Sequence, residues 1–354
     1  MYLDDSYING LDIDNVKKLL LTGNISTRSN AVEEFEIKCS EYLGVDDSVA
    51  TNCGTSALHL ALIASDIGRG DEVILPATTF IATANVIRYV GAKPIFVDVD
   101  PNTWCIDIVS AKKALTEKTK AIISVDLYGI PCWDLEEFVT DHNLMWISDS
   151  CESLGSKDIN GDMLPPMADY VCYSFNGNKI MTTGSGGLIT SKYRDLRWVR
   201  SIANVGRNEL GELVCGGYNY NMNGIQAALG ISQLSRISEL VDKKRRFNYI
   251  YRNELDSILD FQECHSRYIP NYWLTAAKHP SNLHIVMMSQ GLPFRKIFPP
   301  ISLCHIYGGD DFRIKEANFK NGIDLYDNGA CLPSSILNTE DDVMNVCKIL
   351  KGVL

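Results

Sequence analysis

Between Thr55 and Asp149 the chain alternates helix-like and strand-like stretches, and this alternation limits the fold more than any other feature. Thr55–Ser65 carries apolar residues at helical spacing, Glu72–Leu75 is a short apolar run closed by Pro76, and Ile81–Val90 reads as a helix ended by Gly91. Pro94–Val99 is β-rich, Ala111–Leu115 is helical and Ala121–Leu127 is a strand. Asp134 is placed to cap a helix running to His142, and Leu144–Ile147 reads as a strand that ends at Asp149. Apolar strands separated by helices need cover on both faces, which predicts an α/β fold with a mainly parallel sheet. Ligands of such sheets sit where strands end and helices begin, so residues just after the strands are the candidates for chemistry.

From about Ile225 to Leu255 a single helical pattern follows, far longer than an average helix, and it reads as a bridge between domains. Residues 1–240 are expected to form a large domain, and residues 241–354 a smaller C-terminal α+β domain. The run Lys243, Lys244, Arg245, Arg246 reads as a solvated helix face rather than a nucleic-acid site. With 354 residues, 45% apolar and 22% charged, the chain can bury a sizeable core. Its 44 acidic and 33 basic residues give a net charge of −11, which argues against a general nucleic-acid or membrane-surface binder. A phosphate-bearing small molecule is still allowed where basic groups gather locally. Eleven cysteines without a CxxC pair indicate reduced thiols in a cytosolic protein rather than a disulfide framework or zinc site. The N-terminal MYLDDSYING is too acidic and polar for a signal peptide, and no run of 18 apolar residues spans a membrane.

Four short segments carry the candidate chemistry. Asn52-Cys53-Gly54-Thr55-Ser56 opens a helix with small residues, and free N–H groups at a helix start suit phosphate, although Thr or Ser is also an ordinary cap. Asp149, in ISDSCE, ends a parallel strand and faces the ligand crevice unless it caps the next helix. Lys179 lies in a glycine-flanked, hydroxyl-rich loop after the β-rich Asp169–Phe175; it is either a Schiff-base nucleophile or a solvated loop lysine. Phe80, in PATTF, again follows a strand and can stack on a planar ring or fill the core. Together these supply a phosphate cup, an acid, a lysine and an aromatic, the set that pyridoxal 5'-phosphate requires. The lysine forms an imine with its aldehyde, and the acid keeps its pyridine nitrogen protonated.

The blocks CGTSALHLAL, GDEVILPATTFIATANVI, GAKPIFVDVDPNTWCID, DSCESLGS, YSFNGNKIMTTGSGG, GYNYNMNGIQAALG and CLPSS follow one another along the chain. With them the sequence resembles the DegT/DnrJ-type nucleotide-sugar aminotransferases, a fold-type-I pyridoxal-phosphate family, almost end to end. The resemblance implies that Lys179 is the cofactor lysine and the proton carrier. It implies that Asp149 pairs with the pyridinium nitrogen, that Glu152 lies near the ring hydroxyl and the substrate, and that Phe80 stacks on the ring. Gly54, Thr55 and Ser174 would hold the phosphate, with Asn219 reaching it from the partner subunit of a homodimer with shared sites. Lys179 places the chain with the transaminases, since some family members carry His there and dehydrate sugars. The implied reaction takes an amino group from L-glutamate to a nucleotide-linked 4-keto-6-deoxysugar, and Glu152 in DSCESLGS points to the C4-acting perosamine, viosamine and legionaminic-pathway branch. A C3-acting member of the family is the alternative. Two departures, Asn221 where the family commonly has Arg and Pro300-Ile301-Ser302 in place of Pro-Leu-His, bear on the sugar pocket, and Arg295 lies in a stretch that resembles the substrate side.

Two rivals come from other classes. Asp98-Val99-Asp100 imitates the metal-binding pair of glycosyltransferases, and with Asp310-Asp311 it imitates a phosphatase acid set. The pair falls inside a block that the resemblance reads as strand and turn. A silent sugar-sensing regulator on the same fold is the second rival. Cys264-His265 and Cys304-His305 form no helical pair at metal-ligand spacing, and no GxSxG supports a serine triad, so no metal is expected.

Overall fold

The apolar runs of the first half become strands because β-branched and aliphatic residues there are covered on both faces. In the computed structural model, which describes residues 1–163, 165, 167–304, 306–307 and 319–354, they are β1 (Ser48–Thr51), β2 (Glu72–Pro76), β3 (Lys93–Val97), β4 (Thr119–Val125), β5 (Met145–Asp149), β6 (Lys157–Asp158), β7 (Tyr170–Ser174) and β8 (Gly187–Thr190). All but β6 form one sheet in the order β1-β8-β7-β5-β4-β2-β3. Pairings β2–β3, β2–β4, β4–β5 and β5–β7 are parallel, and β8 runs antiparallel to both β7 and β1. The mainly parallel α/β sheet expected from the alternation is present. The helix Gly54–Ala64 is apolar nearly all round, and Ser56–Leu62 are buried without a break. A helix of that composition belongs inside a core, and here it packs against β7, β8 and the helix Arg197–Ala203.

The later strands are β9 (Asp260–Phe261), β10 (Tyr268–Ile269), β11 (Ala276–Lys278), β12 (Arg295–Lys296) and β13 (Gly329–Cys331). Four of them form a separate antiparallel sheet, β12-β13-β11-β9, while β10 pairs with β6. Phe247, Tyr251, Leu255, Leu283, Val346 and Leu350 belong to a core of their own beside that sheet.

Three expectations are corrected. The long helical pattern is two helices, Gly224–Leu234 and Ile237–Leu255, broken at Ser235 and Arg236. Arg236 leaves helical geometry, with a guanidinium nitrogen held by the buried Asp12 carboxylate and by Tyr7 O. The basic run is not a solvated face: Lys244 is buried, its Nζ donating to Trp273 O at 2.8 Å, while Lys243 donates to Ile336 O and Arg245 to Pro270 O. Only the last member, Arg246, keeps to the surface, with Glu340. Asp134 caps nothing. The helix starts at Glu136 after Leu135, and the Asp134 carboxylate instead accepts from the Tyr268 hydroxyl at 2.8 Å and pairs with Arg267.

Candidate active site

The candidates converge because parallel strands end on the same side. β1, β2, β5 and β7 lead respectively into Gly54, Phe80, Asp149 and Ser174. A pocket of about 420 Å³ opens there, and its lining includes Gly54, Thr55, Phe80, Asp149, Glu152, Ser174 and Lys179.

Lys179 Nζ donates to Glu152 Oε1 at 3.2 Å and lies 3.8 Å from the centroid of the Trp273 ring. Its side chain is 14% exposed, which removes the solvated-loop reading. Glu152 Oε2 accepts from Tyr128 N at 2.8 Å. Burial pushes the Glu152 carboxyl up, opposed by the ammonium of Lys179 and the Tyr128 amide. Asp149 is buried at the end of β5, where Thr83 Oγ1 donates to its Oδ2 at 2.7 Å and Cys151 N to its Oδ1 at 3.3 Å. No helix starts behind it, so it is not a helix cap.

The helix Gly54–Ala64 begins without a side-chain cap, although Thr55 and Ser56 are at hand. Its first N–H groups and the positive end of its dipole therefore face the pocket. A Cβ on Gly54 would meet Cys151 Sγ at 2.8 Å and Ser174 Cβ at 2.9 Å, so only glycine lets the helix come this near β5 and β7. Phe80 is 55% exposed, with the Phe298 ring at 6.0 Å. A half-bare phenyl ring at a pocket wall offers a face for a planar ligand.

Asn219 does not line this pocket. Its side chain is exposed, its backbone bridges to Asn204, and its carbonyl accepts from Asn52 Nδ2 at 3.3 Å. Asn221 is likewise outside, donating to Asn204 Oδ1, and Ser302 is buried with an unpartnered hydroxyl. Asp98 and Asp100 spend their carboxylates on main-chain amides, Asp98 on Val99, Asn321 and Gly322, and Asp100 on Asn102 and Thr103. Asp310, Asp311 and His305 lie outside the described residues. Among the described residues no group of three His, Cys, Asp or Glu could hold a metal ion, and no helix is long and apolar enough to cross a membrane.

Several site residues escaped the sequence reading. Trp273, Tyr128 and Phe298 form a continuous aromatic wall, with ring centroids 6.4 Å and 5.6 Å apart. Asp126, at the end of β4, is buried and accepts from Cys132 N, Trp133 Nε1, Ser150 Oγ and Ser153 Oγ, which holds the loop carrying Asp149 and Glu152. Burial pushes its carboxyl up to about 6 against those hydrogen bonds. Only the apolar strand before Asp126 signalled it; nothing local marks Trp273.

The family model for the DegT/DnrJ/EryC1/StrS aminotransferase family matches residues 7–351. The chain belongs to this family. It is 33% identical to GDP-perosamine synthase of Escherichia coli O157:H7 over 356 residues, covering 96% of this chain and 95% of that one. It is 34% identical to GDP-perosamine synthase of Caulobacter vibrioides over 372 residues, covering 98% and 96%. The structure superposes on the aminotransferase from Psychrobacter cryohalolentis with a TM-score of 0.93 at 25% identity, covering 100% and 98% of the two chains. Spr1654 of Streptococcus pneumoniae in its PLP-form gives a TM-score of 0.92 at 25% identity, covering 100% and 99%. The chain is therefore an α/β aminotransferase, and its pocket fits pyridoxal 5'-phosphate: an uncapped helix start for the phosphate, a buried acid, a lysine and a bare aromatic face.

Proposed function

We propose that this aminotransferase uses pyridoxal 5'-phosphate to move an amino group from L-glutamate to the C4 ketone of a nucleotide-linked 4-keto-6-deoxysugar, yielding a nucleotide-4-amino-4,6-dideoxysugar. The observation that carries this reading is the pairing of Lys179 Nζ with Glu152 Oε1 at 3.2 Å, beside Asp149 in a single pocket. Similarity to two GDP-perosamine synthases supports a nucleotide sugar as acceptor. When bound, the cofactor supplies an electron sink for the carbon that loses its proton.

Lys179 would hold the cofactor through Nζ and, once the incoming amine has displaced that nitrogen, would use it to carry the proton of the 1,3-shift that the cofactor makes possible. Burial and the Trp273 ring keep water off this amine, and Glu152 orients it. Asp149 holds the proton on the ring nitrogen through charge, with Thr83 fixing its rotamer. Phe80 stacks on the ring, and Gly54, Thr55 and Ser174 bind the phosphate. Asn219, which does not line its own pocket, reaches the phosphate of a partner in a homodimer. The reading keeps residues 1–240 as a large cofactor-binding domain and residues 241–354 as a small C-terminal domain, in a cytoplasmic protein of polysaccharide biosynthesis.

The test is incubation with glutamate and a panel of GDP-, dTDP- and UDP-linked 4-keto-6-deoxysugars, with products identified by mass and NMR. Amination at C4 is the expected result. Amination at C3 would move the chain to the other branch, and a cofactor spectrum untouched by glutamate would remove that donor.

A further inference from the structure

The pocket lining carries two carboxylates, Asp149 and Glu152, and two cations, Lys179 and Arg295. Lys179 is committed to Glu152 and is the reacting amine. Arg295 is the remaining cation. Its guanidinium lies 5.5 Å from the centroid of the Trp273 indole, the same ring that Lys179 Nζ approaches to 3.8 Å. Among the described residues it makes one hydrogen bond, from Nη2 to Asp4 Oδ2, and its side chain is 28% exposed. Nε and Nη1 are open. A guanidinium with spare donors beside a pocket presents a fork that matches a carboxylate.

Asp4 is not there by accident of a loose terminus. Ser334 N donates to Leu3 O, Ser335 Oγ donates to Asp5 O, and Tyr2 exchanges two hydrogen bonds with Asn338. This strap sets Asp4 between Arg295 and Asn178 Nδ2, which donates to it at 3.0 Å next to Lys179 in the chain. Asp4 thus fixes the guanidinium and offsets part of its charge.

We propose that Arg295 anchors a carboxylate of the amino donor and that Asp4 tempers the strength of that grip. The inference rests on the amino-acid donor proposed above. The size of the site favours the donor over a nucleotide diphosphate. The pocket of about 420 Å³ must take the cofactor as well, and the room left beside it suits an amino acid, whose charges must be met inside. The nucleotide of a nucleotide sugar extends beyond such a cavity and finds its countercharges there. A dicarboxylate entering a site that already holds Asp149 and Glu152 needs this cation, because the other one is the amine that reacts.

The experiment uses the cofactor-loaded protein and titrates glutarate, a dicarboxylate without an amine, and GDP separately, by calorimetry. Arg295→Gln should weaken glutarate about tenfold or more, as expected for a lost charge-assisted pair. Arg295→Lys should fall between it and wild type, and carries the comparison if Arg295→Gln does not fold. Asp4→Asn keeps the shape, removes the opposing charge and should tighten glutarate several-fold. GDP binding should change by less than about twofold throughout. Loss of GDP binding with glutarate unchanged would make Arg295 a diphosphate contact, and unchanged affinity for both would make the pair purely structural; either outcome overturns the proposal. Weaker glutarate binding in Asp4→Asn overturns the role given to Asp4. If the wild-type spectrum is bleached by glutamate while Arg295→Gln binds glutarate normally, this inference alone fails. If wild type neither binds glutarate nor responds to glutamate, the donor reading itself has failed.

Discussion

Lys244 Nζ donates a 2.8 Å hydrogen bond to the carbonyl of Trp273, the residue whose indole lies against the Lys179 amine. The helix Ile237–Leu255 thereby holds one wall of the active site through a buried cation. Burial pushes that ammonium down from 10.5 to about 7, with Asp4 acting in the opposite sense. Between about 7 and 10.5 the unfolded chain then binds a proton at Lys244 that the folded chain does not. Stability should rise with pH across this window and be flat, for this group, below it; the full change is on the order of 3 to 5 kcal/mol. Denaturant titrations of wild type and Lys244→Met at several pH values test this. The variant should lack the rise, and parallel curves would show that Lys244 is not the group responsible.

Lys179→Ala should abolish turnover while the protein still folds, since what is lost is confined to the Glu152 pair and the contact with Trp273. Borohydride reduction followed by mass spectrometry should find the cofactor fixed to wild type and absent from the variant. A cofactor adduct that persists in Lys179→Ala would assign the covalent link to another lysine.

Gly54→Ala places a methyl group 2.8 Å from Cys151 Sγ and 2.9 Å from Ser174 Cβ. Overpacking of this kind costs about 1–3 kcal/mol. Because the contact lies at the phosphate end of the pocket, cofactor affinity should drop about tenfold or more. Adding Cys151→Ala should recover part of the loss. Unaltered affinity in a well-folded Gly54→Ala protein would separate this helix start from the cofactor.

Asn219 is exposed and does not line its own pocket, so the proposed shared site predicts complementation between chains. Lys179→Ala and Asn219→Asp dimers should each be weak or dead at limiting cofactor, the second because a carboxylate repels phosphate. Unfolded, mixed and refolded together, half of the dimers pair one chain of each kind. Each such dimer has one intact site, so roughly a quarter of all sites should recover. No recovery, with subunit exchange confirmed by mass, would leave Asn219 outside any site.

The parallel sheet, and the place of Gly54, Thr55, Phe80, Asp149 and Lys179 beyond its strand ends, were legible in the sequence for one reason, whereas Glu152, Ser174 and Asn219 came from the family resemblance. In a βα repeat, strand ends share a side, so a residue's place after its strand fixes its place in space. Gly54, Phe80, Asp149 and Ser174 follow that rule directly, and Lys179 and Glu152 lie a few residues further on. Asn219 follows no strand in this sheet and does not line the pocket of its own chain. The single long helix failed because helical periodicity continues through Ser235 and Arg236, while the break is set by the tie of Arg236 to Asp12, over two hundred residues away.

The sequence by itself determined the architecture, the family and the residues that follow the strands, because local periodicity and ordered motifs carry that information. Tertiary structure alone decided what surrounds them. It turned Lys244 from an apparent surface charge into a buried support, since helix amphipathicity does not tell which polar residue a neighbouring segment will cover. It also brought Trp273, Arg295 and Asp4 to Lys179. These residues come from distant parts of the chain, and charge pairing and ring contacts between them exist only where the folded small sheet and N-terminal strap set them side by side.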